Sequence, residues 1–276
     1  MARPPTIMIK RHTLVTRITH WTNVISLWLL LMSGLNIFNA HPALYWGQAS
    51  NFQSPWLSMS AVGQGDGRRG ITTLGPLRFD TTGVFGVSRE AGHTMSRGFP
   101  AAVTLPNQRY LAIARRWHLF MAWVFVINGL IYLLTSFLNG HFRRDLTPQR
   151  DQLAPKAIWH DIIEHAKLRF PKGEEARRYN IIQKLTYLSV IVLLLPLVAL
   201  TGMTMSPSLN ATFPILLDVF GGRQSARSIH FICANLIVLF VLVHVILVII
   251  SGFWNNIRSM ITGRYAIETS GAAHDA

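Results

Sequence analysis

The chain has 276 residues, 50% of them hydrophobic, and a mean hydropathy of +0.31. A soluble domain rarely carries this much apolar sequence in blocks, and four blocks reach the ~20 residues that cross a bilayer as a helix. The net charge of +14 does not indicate nucleic acid: no nucleic-acid module is visible, and arginines beside anionic lipid account for the excess. A single cysteine, Cys233, excludes disulfides, iron–sulfur clusters and the C-x-x-C-H run of covalent haem attachment, and its place inside an apolar block fits a small packing residue.

The first block runs from about Ile18 to Phe38 and is the least apolar, with Thr22, Asn23, Ser26, Ser33 and Asn36 in it. Basic residues precede it, as in a secretory signal peptide. No small-x-small cleavage site follows and the apolar run is too long, so it reads as an uncleaved first helix.

The stretch from about 41 to 109 is rich in Gly, Pro, Ser and Thr, with turn signals at Gly63-Gln-Gly65-Asp-Gly67 and Leu74-Gly75-Pro76. It is too long for a minimal turn and too apolar for simple disorder. It reads as an ordered cap or as a docking surface for a soluble partner, and the two are compatible.

The second block spans about 112–138. The connection that follows, about 140–180, carries Arg143, Arg144, Arg150, Lys156, Lys167, Arg169, Lys172, Arg177 and Arg178. Within it Ile158, Trp159, Ile162, Ile163, Ala166 and Phe170 form one stripe opposite His160, Asp161, Glu164, His165 and Lys167, the pattern of an amphipathic helix lying in the interface. The third block, about 181–203, contains Pro196, which predicts a kink. The fourth spans about 229–254. No internal repeat or low-complexity run stands out, and no soluble domain separates from the rest.

Basic residues concentrate before the first block (Arg3, Lys10, Arg11, Arg17) and in the 140–180 connection, so both ends and that connection are expected in the cytoplasm and the 41–109 loop outside, in the periplasm. The fold expected is an all-α membrane protein, one four-helix integral-membrane domain over 1–276.

His230 and His244 lie fourteen residues apart on the fourth block. That is a rise of ~21 Å with both imidazoles near one helix face. His20 and His118 open two other blocks. An ionisable group in lipid usually points into the bundle, and neutral imidazole is a good haem ligand. Depth pairs His20 with His244 toward the inner side and His118 with His230 toward the outer side. The expected cofactors are therefore two bis-histidine haems b, with the third helix closing the bundle.

Gly34 and Gly129 fall on the faces of His20 and His118 at the opposite depth, where they clear a haem plate or allow close helix packing. Arg17, Arg115 and Arg116 flank the proposed ligands, as propionate partners or as headgroup snorkels. No nucleophile or acid–base dyad stands above background. A zinc carrier is disfavoured, because ligands ~21 Å apart on one helix cannot share an ion.

Arg17-Ile-Thr-His20-Trp21, Arg115-Arg116-Trp117-His118, the His230–His244 spacing and the closing run Arg258 to Tyr265 resemble the bacterial cytochrome b561 / nickel-hydrogenase b-type cytochrome family, which includes the b-subunits of formate dehydrogenase and thiosulfate reductase. The likeness covers about Arg11 to Tyr265, outside most of the long loop. It implies a di-haem subunit that exchanges electrons with membrane quinone near the inner haem and with a periplasmic oxidoreductase. The long loop, with Phe99-Pro100 and Leu105-Pro106, looks more like the thiosulfate-reductase-type branch, which implies a molybdopterin partner rather than a nickel hydrogenase. The alternative is a stand-alone quinone–small-molecule oxidoreductase, acting for example on superoxide and using the same histidines.

Overall fold

The computed structural model describes residues 6–90, 92–140, 142–149, 152–167 and 181–268. Four helices are long and apolar enough to cross a membrane: α1 (Leu14–Phe38), α2 (Leu111–Leu138), α4 (Ile181–Met205) and α7 (Arg223–Ile250). The protein is a multi-pass membrane protein. Shorter helices are α3 (Pro155–Ala166), α5 (Pro207–Thr212), α6 (Ile215–Val219) and α8 (Phe253–Thr262). The described residues fall into two compact units, one drawn from Met1–Trp21, Asn128–Leu195 and Leu236–Ala276, the other from Thr22–Ile127 and Pro196–Asn235.

The all-α expectation is corrected by the second unit. Its long inter-helix segment folds as β-structure: β2 (Ala43–Leu44), β3 (Leu57–Val62), β4 (Arg69–Leu74) and β5 (Leu77–Asp80) form a four-stranded antiparallel sheet, and β6 (Gly86–Glu90) pairs with β7 (His93–Arg97). The cause is period-two alternation. Leu57 and Met59 are buried and pack with Phe38 and Leu44, while the neighbouring Ser60 and Val62 are exposed. Gly70 and Gly86 let two backbones meet, since a Cβ on Gly70 would lie 2.1 Å from Phe85 O. Arg97, buried, pins the hairpin by donating to Glu90 Oε1 (3.1 Å), Thr104 Oγ1 (2.9 Å) and Asn107 O (2.9 Å).

The fourth long helix begins at Arg223 and stops at Ile250, not at 229 and 254. Its polar first turn is held by the loop. Gly47 O accepts from the N–H groups of Gln224 (3.0 Å) and Ser225 (3.1 Å), and Gln48 Oε1 accepts from Arg223 N (2.9 Å), so donors normally orphaned at a helix start are satisfied. Gly252, at φ 115°, ends the run and α8 follows. In α4 a π-helical stretch, Ser189–Leu194, precedes Pro196, where proline denies the helix a normal i→i−4 bond.

In the first unit β1 (Thr6–Lys10) pairs antiparallel with β8 (Arg264–Glu268) from Thr6↔Glu268 to Lys10↔Arg264, joining the two terminal segments. Helix α3 exposes Trp159 and Ile162 among polar neighbours, and Asp161 Oδ2 accepts from Ile181 N (3.1 Å) at the start of α4. Phe170, the His165 side chain and the basic residues of 168–180 lie outside the described residues.

Candidate functional site

The structure brings the four histidines together as two pairs. His118 of α2 and His230 of α7 face each other with ring centroids 6.2 Å apart and planes at 63°. His20 of α1 and His244 of α7 have centroids 6.5 Å apart, also at 63°. Among the described residues no group of three or more His, Cys, Asp or Glu side chains is placed to share a metal ion, so each pair offers two nitrogens and leaves the remaining positions to whatever ligand sits between the rings.

The His118–His230 rings are oriented by carbonyls. His118 Nδ1 lies 3.1 Å from Leu30 O, and His230 Nδ1 lies 2.9 Å from Val198 O. A carbonyl oxygen only accepts, so each Nδ1 carries the proton and each Nε2 keeps its lone pair for a ligand bond. Ser33 Oγ (3.1 Å) and Thr201 Oγ1 (3.2 Å) stand beside the same nitrogens. Gly34 and Gly202 back the rings, where an added Cβ would lie 3.2 Å from His118 Cε1 and 3.3 Å from His230 Cε1. Sequence reasoning singled out Gly34 but missed Ser33, Thr201 and Gly202, because small and hydroxyl residues abound in membrane helices and their meaning depends on which helix they face.

The His20–His244 pair is surrounded by rings. Phe240 stacks on His244 (5.8 Å, 21°) and Trp21 meets His20 edge-on (5.5 Å, 77°). Beside His20, Asn128 Nδ2 donates to Thr19 O at 2.8 Å, with both residues buried, and so ties α2 to α1. Sequence reasoning missed Asn128.

Arg17 donates to Ile261 O, and Trp21 Nε1 donates to Met260 O at 3.2 Å. Spaced i and i+4, the two share a helix face and satisfy carbonyls left open in the last turn of α8. The Arg-x-x-His-Trp run is thus partly a cap for another helix, with His20 set between the capping residues. Arg17 Nε is buried and makes no hydrogen bond among the described residues. Arg115 and Arg116 are exposed, Arg116 with Ile113, Trp117 and Phe120 around a shallow hollow of about 390 Å³. Apart from its own helix backbone, Gly129 has no atom of the described residues within 4 Å of where a Cβ would stand.

Residues 11–263 match the family model for prokaryotic cytochrome b561. The chain belongs to the prokaryotic cytochrome b561 family. A putative protein-methionine-sulfoxide reductase subunit, YedZ1 of Azospira oryzae, is 27% identical over 232 residues, which cover 84% of this chain and 86% of that protein. No solved structure matches the chain. Membership makes this cytochrome b561 protein a membrane electron carrier and implies haem b as its cofactor.

Proposed function

We propose that this cytochrome b561 protein is a di-haem subunit that carries electrons across the bilayer between the quinone pool and a periplasmic oxidoreductase. The observation that carries the reading is the pair of ring separations, 6.2 and 6.5 Å. Two imidazoles bound on opposite sides of one metal, each nitrogen about 2 Å from it, have centroids on the order of 6 Å apart. His118 and His230 hold the outer haem and His20 and His244 the inner one, both strung on α7.

The donor set fits the group. At the His118–His230 pair, neutral imidazoles with Nδ1 engaged present Nε2 as ligand. The unpartnered, buried Nε of Arg17 suits a propionate of the inner haem. Arg115 and Arg116, exposed at the His118 end of α2, are further propionate partners or headgroup contacts. Gly129 gives the inner haem clearance. The haem supplies a one-electron redox change; the chain supplies ligation, spacing and a buried, aromatic setting.

Quinone exchanges electrons at the inner haem, near His20, His244 and helix α3. Both chain ends are cytoplasmic, a reading supported by the lysine and arginine distribution and consistent with the pairing of β1 with β8 on one side. The β-rich segment 41–109 then faces the periplasm and offers the partner an ordered surface. A molybdopterin enzyme is the preferred partner, on the resemblance to the thiosulfate-reductase-type branch; the name of YedZ1, a putative reductase subunit, supports a subunit role.

The test is a dithionite-reduced minus oxidised spectrum with a pyridine haemochrome assay on detergent-purified protein, expected to give two haems b per chain. His118→Ala and His230→Ala should each remove one haem, and His20→Ala and His244→Ala the other. One haem in the wild type breaks the pairing, and a folded but colourless protein removes the reading altogether.

A further inference from the structure

The two helices that back His118 and His230 without ligating carry the same short sequence. Residues 29–34 read Leu-Leu-Leu-Met-Ser-Gly and residues 197–202 read Leu-Val-Ala-Leu-Thr-Gly. Matching positions make matching contacts. The second residue of each, Leu30 or Val198, offers its carbonyl to Nδ1–H. The fifth, Ser33 or Thr201, places its hydroxyl oxygen 3.1 or 3.2 Å from the same nitrogen. The hydroxyl's shorter contact is to the carbonyl four residues back, Leu29 O at 2.6 Å or Leu197 O at 2.7 Å, against 3.2 Å to Leu30 O and 3.1 Å to Val198 O, which assigns its proton to the former. The sixth is the glycine behind Cε1.

The ligand helices repeat as well. Ala114-Arg-Arg-Trp-His118 parallels Ala226-Arg-Ser-Ile-His230, and both alanines are completely buried. A repeat that the sequence did not advertise is therefore built into this site: helix pair α1–α2 and helix pair α4–α7 each supply one ligand and one holder. The other site lacks it. Among the described residues neither the His20 nor the His244 ring forms a hydrogen bond; their neighbours are Trp21 and Phe240.

A hydroxyl whose proton is already committed presents a lone pair to Nδ1–H. The proton is then shared between two acceptors, carbonyl and hydroxyl, which fixes the ring plane. Pulling on that proton makes the imidazole a stronger donor to iron, and a stronger donor favours the ferric state.

We propose that Ser33 and Thr201 are positioning residues of the outer haem, twin holders that fix both imidazole planes and lower that haem's potential relative to a site without them. Among the described residues the inner haem has no such holder, so the device sets the two haems apart. The inference rests on the two-haem reading above.

The test uses the full chain in detergent, with haem stoichiometry, a redox titration of the α-band and electron paramagnetic resonance of the ferric form. The outer wave is the one lost in His118→Ala. Ser33→Ala and Thr201→Ala are each expected to keep two haems, to move the outer wave to more positive potential and its resonance line with it, and to leave the inner wave in place; the double variant moves it further. Equal movement of both waves, or of neither with both haems bound, overturns the proposal. Should an alanine variant lose the outer haem, Ser33→Thr and Thr201→Ser decide. Retention of haem and wave in these supports the hydroxyl as the actor, and loss in Thr201→Ser, which removes only a methyl, overturns it. A wild type with fewer than two haems removes the two-haem reading itself, and stoichiometry shows that before any variant is compared.

Discussion

Asn39 grips Phe99 by both backbone groups: its Oδ1 accepts from Phe99 N at 2.7 Å and its Nδ2 donates to Phe99 O at 3.0 Å. The amide imitates a strand partner at the end of α1, and one turn earlier Asn36 Nδ2 donates to Pro106 O (2.7 Å) and Gln108 O (2.9 Å). The β-rich segment is thus bolted to the helix by side chains that are themselves buried. Asn39→Ala leaves two backbone groups without partners, at a cost of roughly 2–5 kcal/mol. The segment 41–109 is expected to become protease-sensitive in membranes while both haems stay bound. Wild-type resistance in the variant would show that other contacts hold the cap.

What was legible in the sequence is what lipid makes conspicuous. Apolar runs of ~20 residues have one reading, and histidines inside them stand out because an ionisable group there needs a reason. The strands between β2 and β7 were not legible. They are short, their alternation is broken by glycines such as Gly63, Gly75 and Gly83 at positive φ, and a run of turn signals looks like loop. The start of α7 was missed because hydropathy counts from Ile229, whereas Gly47 and Gln48 stabilise the helix six residues earlier. The capping role of Arg17 was invisible for a similar reason: its partner, Ile261, is 244 residues away.

The glycines separate two kinds of crowding. Gly34→Ala and Gly202→Ala press a methyl to 3.2 and 3.3 Å from the His118 and His230 rings, so the effect is on ligand geometry. Both are expected to shift or strip the outer haem and spare the inner. Gly129→Ala meets no atom of the described chain within 4 Å. Any loss of inner haem in that variant, read by haemochrome stoichiometry, then comes from crowding the haem itself. Full retention of both haems with an unmoved inner wave would leave Gly129 a packing residue only.

Asp80 gives the sheet a pH response. Thr82 donates to Asp80 Oδ1 through its hydroxyl (2.6 Å) and its backbone N–H (3.0 Å), and Arg69 pairs with Oδ2. The Thr82 hydroxyl first, then Arg69, hold the carboxyl well below the usual carboxylate range. A depressed native value means the contribution is fully present above the unfolded value, about 4, and is lost as pH falls below it toward the native value. The protection of β4 and β5 amides, their exchange normalised to the intrinsic rate at each pH, is expected to be flat from pH 8 to about 5 and to fall in acid, whereas Asp80→Asn should show lower protection that does not change over that acid range. An acid response in the variant equal to the wild type would assign it elsewhere.

Arg17 and Trp21 let the structural role be tested apart from the proposed cofactor role. Both cap α8, yet of the two only Arg17 keeps a buried N–H without a partner among the described residues. Trp21→Phe removes one hydrogen bond to Met260 O and keeps the ring beside His20, so it is expected to cost about 1 kcal/mol and leave both haems in place. Arg17→Gln loses the cap and also the charge available to a propionate. A carboxylate relieved of its cation favours the ferric haem, so the inner wave should move to more negative potential while the outer wave stays. Arg17→Lys keeps the charge without the planar fork and should recover part of that shift. Equal destabilisation by Trp21→Phe and Arg17→Gln with no movement of either wave would make Arg17 a helix cap alone.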